Sequence, residues 1–360
     1  MLQSNLSIRV DDRDGFMRHL LEHLDEDQVQ RAEPDGETVV SVYNSVTRLR
    51  FEGDRMAVVV EGTDPADHGV AKGLVAWYVQ HILGDDCPEI VWAGDGADTR
   101  ELPHFRELTV VSSTQLTPRM RRVRLSGANL QRFAGEELHV RLLFPPKGRT
   151  PVWPHAGPAA LPVWPTGEDE LIARVYTIRE IDAEAGHLDI DVVLHDPPGA
   201  GCAWSREAQA GDFVGMLGPG GGLLGPGERH LILGDETALP AIARMLKRMD
   251  AGVRADVFIE VAGPEEEQAL VHPDSVSVRW LHRNGAPAGT TTLLEDAARS
   301  AVAPGETPFV WSGTEFSAFK AIRRFCRKDL GLKKNQHLVA AYWRRGQRQG
   351  EGVAAADDDG

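Results

Sequence analysis

The chain has 360 residues, of which 42% are hydrophobic and 26% charged, with a formal net charge of −15. That length suits two or three domains with buried cores, and that charge argues against nucleic acid or an anionic membrane as the main partner. No apolar run reaches the ~18 residues that suggest a membrane span, and the N-terminus lacks the basic-then-apolar pattern of a secretory signal. A cytoplasmic protein with no stable membrane insertion is expected. Cys87, Cys202 and Cys326 are far apart and form no CxxC pair, so neither a zinc site nor a disulfide framework is suggested. The charge is uneven: residues 314–348 hold ten bases and two acids in an otherwise acidic chain.

Residues 1–95 read as a small α+β domain. Ser7–Val10 is a candidate strand. Phe16, Leu20, Leu21 and Leu24 then fall at helical spacing. Three strand-like runs follow, Thr38–Val42, Val46–Phe51 and Met56–Glu61, with turns at Asn44-Ser45 and Gly53-Asp54. Asp64 is placed to cap a second helix with Pro65 at its first position. His23 and His81 stand alone and suggest no metal or catalytic role. The segment resembles an uncharacterised small domain family found alone or fused to reductases, which implies no activity.

A Gly/Asp/Pro-rich loop at about 84–104 leads into a β-rich domain, 104–227. Glu107–Ser112, Met120–Leu125 and Leu138–Phe144 are candidate strands. Leu188, Ile190, Val192 and Leu194 alternate with His187, Asp189, Asp191 and Val193, which predicts a strand with one buried face. Short strands with turn signals suggest an antiparallel barrel or sandwich. The Pro-rich stretch 145–171 is expected to be a surface loop, with Trp153 and Trp164 either packed against the barrel, the favoured reading, or lining a site.

From 228 to 346 strands alternate with helices: His230–Leu233, Glu236–Met249, Ala255–Val261, Val276–Leu281, Thr291–Ser300, Pro308–Trp311, Phe316–Leu330 and His337–Tyr342. This pattern predicts a doubly wound parallel sheet, in which ligands bind at the carboxyl ends of the strands. The turns there are Gly234-Asp235-Glu236-Thr237 and Ser312-Gly313-Thr314-Glu315. The polar tail, 347–360, is expected to be disordered.

A barrel followed by a nucleotide-type α/β domain is the plan of flavin reductases that use a pyridine nucleotide. In the run Arg174-Val175-Tyr176-Thr177-Ile178-Arg179, strand geometry sends Arg174, Tyr176 and Ile178 to one face and Thr177 and Arg179 to the other. An aromatic face can stack on a flavin, and an Arg beside it can pair with a diphosphate; taken alone, a strand Tyr is more often half-buried packing. Gly199-Ala200-Gly201-Cys202-Ala203-Trp204-Ser205 is a Gly-rich turn opening a helix, a source of free N–H groups for phosphate. Gly211–Gly215 and Leu217–Gly222 supply glycines suited either to close cofactor approach or to a hinge.

The ordered set RVYTIR, DVVLHD, GAGCAWSREAQAGD, GPGGG, GDETALPAI and AYWRRG resembles the siderophore-interacting protein family over about 106–346. The resemblance implies a multidomain, ferredoxin-reductase-like fold: an antiparallel β-barrel flavin-binding domain, then a doubly wound α/β NAD(P)H-binding domain. It implies a cytosolic FAD-dependent ferric-siderophore reductase that takes electrons from NADPH or NADH, or from a ferredoxin-type donor. It assigns FAD to Arg174, Tyr176, Thr177, His195, Gly201, Cys202, Ala203 and Trp204. It assigns the pyridine nucleotide to Gly234, Asp235, Glu236 and Thr237, and brings Gly313, Glu315 and Trp343 to the cofactor site. Cys202 departs from the small or hydroxyl residue usual there, although its N–H can still serve. Arg323, Arg324, Arg344 and Arg345 are candidates for steering an anionic ferric siderophore. The cofactor carries the redox step, so no catalytic side chain and no protein metal site are nominated. Two alternatives remain: a general NAD(P)H–flavin or electron-carrier oxidoreductase, and a non-enzymatic iron-chelate or flavin-binding protein.

Overall fold

The computed structural model describes residues 1–23, 29–32, 36–42, 44–221 and 224–347, with the side chains of 29–32 excepted. The chain divides into two compact units. One comprises Met1–Phe105 with Pro146–Glu170, and the other Arg106–Pro145 with the chain from Leu171 onward. Leu24, Gly222 and the tail from 348 fall outside the described residues.

The first unit is built on a six-stranded sheet. Its spatial order is Val29–Ala32, Glu37–Val42, Ser45–Glu52, Arg55–Gly62, Leu2–Arg9 and Ala93–Gly94. Every pairing is antiparallel. The alternation of Arg55–Gly62 turns Met56, Val58 and Val60 into a core shared with Phe16 and Leu20 of the helix Arg13–His23. Asp64 caps the helix Pro65–Leu83 as expected, its carboxylate accepting from the N–H groups of Ala66 (2.8 Å) and Asp67 (2.9 Å). The first strand begins at Leu2 rather than Ser7. Ser4 occupies an inward position and is satisfied there by donating to the carbonyl of Asp95 (2.6 Å), so the hydrophobic alternation is hidden at one rung. The short strand Val29–Ala32 was not anticipated.

The segment 146–170 belongs to this first unit. Trp153, expected against the barrel, has its ring 5.4 Å from that of Phe105, and Ala159, Ala160 and Leu161 pack on the first unit's core. Trp164 is half-buried.

In the second unit, six strands close a barrel in the order Ile172–Asp182, His187–Val193, Met120–Ser126, Phe105–Thr117, Phe213–Gly220 and His139–Phe144. Strand His187–Val193 is buried on both faces rather than one: Asp189 and Asp191 point away from the core yet lie beneath Arg124 and Arg122, paired at 2.8 and 2.7 Å. Phe213–Gly220 is a strand where a glycine-rich turn or hinge was read. Val214 and Met216 fill the core, and Gly218 (φ +138) passes 3.2 Å from the His139 carbonyl, measured from where a Cβ would stand.

The barrel leads into a five-stranded parallel sheet in the order Val276–His282, Arg254–Val261, Arg229–Gly234, Phe309–Glu315 and His337–Trp343. The chain reverses direction across the sheet between Arg229–Gly234 and Phe309–Glu315, which is the switch point where such folds open a crevice. Helices Leu239–Arg248, Leu293–Ala301 and Phe316–Arg324 cover it. The last was expected to run to Leu330; its final part, Phe325–Asp329, is a π-helical turn that buries Phe325 and Cys326. Arg244 fastens the first of these helices to the barrel. Its buried guanidinium donates to the carbonyls of Ile178 (3.2 Å), Phe133 (2.9 Å) and Gly135 (2.9 Å).

Candidate cofactor site

The barrel half of the site centres on Tyr176. Its strand also carries Arg174, half-buried, whose guanidinium donates to the Ala173 carbonyl (2.7 Å), and Thr177, which is buried. Tyr176 packs at the edge of the barrel core beside Phe144, and burial pushes its phenol well above the ordinary tyrosine range. Its hydroxyl points at the first turn of helix Ala200–Glu207. A Cβ on Gly201 would stand 1.7 Å from that oxygen, so only glycine fits. The sequence reading took Gly201 for a phosphate cradle; the structure gives it a steric reason as well.

The same helix has Gly199 at its N-cap and no side-chain cap. The Ala203 N–H donates to the Gly199 carbonyl (2.9 Å), so the N–H groups left without intrahelical partners are those of Ala200, Gly201 and Cys202. These free donors lie at the start of the Gly-rich turn, Gly199–Ser205, that the sequence singles out. The Cys202 side chain is buried, with its sulfur 3.6 Å from the His195 carbonyl. His195 lies against Gly199, and Trp204 packs on Phe144 with ring centroids 4.9 Å apart. An aromatic strand, a guanidinium and an uncapped helix N-terminus are thus gathered on one side of the barrel, a donor set that fits a flavin with a diphosphate.

The sheet half centres on Asp235. Its carboxylate accepts from the Thr237 N–H (2.9 Å) and hydroxyl (2.5 Å), from the Glu315 N–H (3.1 Å) and from Trp343 Nε1 (2.8 Å). Four of the anticipated residues therefore form one cluster. Burial, and then the neighbouring Glu236, push the Asp235 carboxyl up to about 6. Glu315 caps the helix Phe316–Arg324 by accepting from the Ser317 N–H and also accepts from the Arg345 N–H (3.1 Å). Gly234 and Gly313 are register partners; Gly313 lies under the Tyr342 ring, where a Cβ would approach to 2.7 Å. A small cleft opens at these strand ends, lined by Asp235, Glu260, Thr291, Glu315 and Ser317 among others.

Glu236 does not join that cluster in the way expected. It pairs through both carboxylate oxygens with buried Arg283, which also reaches Glu260 (3.4 Å). Glu260 in turn accepts from the Thr291 hydroxyl (2.7 Å). This buried ion cluster went unread because its members are distant in sequence.

The basic residues separate into two kinds. Arg344 lies 4.5 Å over the ring of Phe316, which Lys320 also approaches at 4.9 Å; Arg323 lies 5.7 Å from Phe319. Arg324, Arg344 and Arg345 are all exposed. The aromatic partners Phe316 and Phe319, stacked on each other, were missed because they read as helix core. Among the described residues no group of His, Cys, Asp and Glu could hold a metal ion, and no helix is long and apolar enough to cross a membrane.

A closed antiparallel barrel presenting an aromatic strand to a helix N-terminus, joined to a parallel sheet with a cleft at its switch point, defines an FAD-dependent oxidoreductase. Residues 109–223 match the siderophore-interacting FAD-binding domain, and 227–346 match the siderophore-interacting protein family. The chain belongs to the siderophore-interacting protein family, and its barrel is the FAD-binding domain. It is 31% identical over 261 residues to an uncharacterized protein of Mycobacterium tuberculosis, covering 67% of this chain and 90% of that one. It is 28% identical over 257 residues to the ferric vibriobactin reductase ViuB of Vibrio cholerae, covering 68% and 91%. A crystal structure of a siderophore utilization protein from T. fusca superposes with a TM-score of 0.56 at 39% identity, covering 68% of this chain and 94% of that one.

Proposed function

We propose that this protein passes electrons from NADPH or NADH, through FAD, to ferric siderophores in the cytoplasm, releasing iron as Fe(II). The observation that carries the reading is the Tyr176–Gly201 contact, which holds an aromatic face and a guanidinium-bearing strand against an uncapped helix N-terminus. Bound FAD can accept an electron pair from a pyridine nucleotide and deliver electrons singly to ferric iron. Arg174 and the N–H groups of Ala200–Cys202 bind the diphosphate, while Tyr176, Thr177 and His195 hold the ring system. Asp235 and Glu315 line the cleft that takes the nicotinamide end, Thr237 and Trp343 hold the Asp235 carboxylate in place, and Gly313 leaves room for Tyr342 beside it. Glu236 supports that cleft from behind through Arg283. Arg323, Arg324, Arg344 and Arg345 attract an anionic ferric complex. In this reading, 1–95 is an accessory domain, 104–227 binds FAD and 228–346 binds the pyridine nucleotide.

The relative named as a ferric vibriobactin reductase supports the substrate class. The test is an anaerobic visible spectrum of the FAD-loaded protein. NADH or NADPH should bleach the flavin bands, and a ferric siderophore added next should restore them with formation of Fe(II). Failure of NADH, NADPH and a reduced ferredoxin to bleach the flavin would replace the reductase reading with a binding protein. Equal turnover of ferric siderophores and unrelated acceptors would replace it with a general flavin reductase.

A further inference from the structure

The first compact unit is discontinuous. Residues 1–105 are completed by 146–170, a segment that interrupts the barrel. The interruption falls between two directly paired strands, with Ile172 opposite Phe144 and the register running on to Thr177 opposite His139. Adjacent antiparallel strands need only a few residues to turn. This excursion is far longer and its only ladder joins His155–Ala156 to Pro162–Val163. A Pro-rich segment of that kind has much conformational freedom to lose and little internal bonding to offset it.

The N-terminal residues supply the missing contacts. Trp92 Nε1 donates to the Ala159 carbonyl (3.3 Å), and the Ala156 N–H donates to the Arg100 carbonyl (2.8 Å). Helix Pro65–Leu83 presents Gly73, where a Cβ would stand 3.1 Å from the Ala160 carbonyl oxygen. Ala160 itself is held at φ +62, a region that disfavours residues other than glycine. Ala159, Ala160 and Leu161 complete the packing. The excursion is thus a strap ordered by residues 1–105.

We propose that the N-terminal unit is a positioning element for the flavin: by ordering the strap 146–170 it fixes the re-entry of strand Ile172–Asp182, on which Arg174, Tyr176 and Thr177 lie. This rests on reading those three residues as flavin contacts. The coupling is reciprocal, because whatever strap order contributes to FAD affinity, FAD contributes to strap order.

The test uses the full chain with two readouts: FAD affinity from flavin fluorescence, and the rate of tryptic cleavage at Lys147 and Arg149 in the strap. Gly73→Leu should speed cleavage at least tenfold and raise the FAD Kd at least fivefold. Trp92→Phe, which removes the bond to Ala159 together with part of the buried indole but keeps an aromatic ring there, should shift both in the same direction by less. Saturating FAD should slow cleavage of the wild type. In a chain whose 146–170 is replaced by Asn-Gly, Gly73→Leu should leave the Kd unchanged. Faster cleavage with an unchanged Kd overturns the proposal, and so does an equal Kd change with and without the strap. If neither substitution speeds cleavage, residues 1–105 do not order the strap and the proposal fails. Should Arg174→Ala and Tyr176→Ala leave the Kd untouched, the flavin-contact reading fails instead, which the first two variants do not report.

Discussion

The phenol oxygen of Tyr342 lies 3.0 Å from Nε2 of His139. Nδ1 of the same imidazole lies 3.2 Å from the hydroxyl of Thr177, so one ring links the barrel strand Ile172–Asp182 to the last strand of the parallel sheet. Gly313 makes room for this by lying flat against the Tyr342 ring. Burial, and then repulsion from Arg244, push His139 down to about 4, so the bridge is a neutral imidazole.

That depression sets a pH dependence. The folded protein binds the proton less readily than the unfolded chain, whose histidine titrates near the ordinary 6.5. The stability contributed by His139 is therefore fully present above 6.5 and is lost as pH falls toward 4, by about 3 kcal/mol in total. In His139→Gln the bridge keeps polar atoms but cannot titrate, so the fall in unfolding free energy between pH 6.5 and 4 should be shallower than in the wild type. Parallel curves for the two proteins would show that other groups carry the acid response.

Gly201→Ala tests the joint between strand Ile172–Asp182 and helix Ala200–Glu207. A methyl group there collides with the Tyr176 oxygen and remains tight against its ring, with Cζ 2.7 Å away. Overpacking of this kind costs about 1–3 kcal/mol, and relief requires Tyr176 or the helix to move. FAD affinity should fall about tenfold or more. Tyr176→Phe added to Gly201→Ala removes the worst contact and should recover part of the lost stability. Additive losses would show that the two residues do not share this joint.

Much of this architecture was legible in the sequence, and the failures have physical causes. Period-two alternation located strands such as Arg55–Gly62 because burial there is one-sided, short apolar runs located the parallel strands, and the Asp64-Pro65 pair gave the helix cap. Phe213–Gly220 was missed because glycine and proline hide a strand whose backbone must pass close to His139. Asp189 and Asp191 suggested a solvent face because their covering arginines come from another strand. GDET and AYWRRG pointed to Asp235, Thr237 and Trp343, yet His139 gave no local signal: its role exists only once Thr177 and Tyr342 are brought to either side of it. The strap was unreadable for a similar reason, since its partners lie before the barrel begins.

Trp343→Phe tests the buried carboxyl at the cleft. Asp235 is raised to about 6, so its contribution to stability is fully present below the ordinary 3.8 and is lost as pH rises through 6. The indole N–H opposes that loss by donating to the charged form. Removing it should cost about 1.5–3 kcal/mol where Asp235 is ionised, and less where it is protonated. Denaturant unfolding at pH 8 and pH 5 should then give a larger deficit at pH 8. Equal deficits would mean that the indole contributes packing alone.

The aromatic seat of the basic residues makes a prediction about salt. Arg344 and Lys320 share the ring of Phe316, which restrains two cations close together. Exposed charges act over about 8–10 Å at physiological ionic strength, so the reduction rate of an anionic ferric complex at low substrate should fall as salt rises. A neutral ferric hydroxamate should respond far less. Arg344→Glu should weaken the anionic substrate selectively and flatten its salt dependence, with FAD content unchanged. Phe316→Leu keeps the charges and removes the ring that holds them. It should give a smaller loss in the same direction, because the cations lose their restraint rather than their sign. If Arg344→Glu affects anionic and neutral complexes alike, the patch is a solvated face with no part in substrate capture.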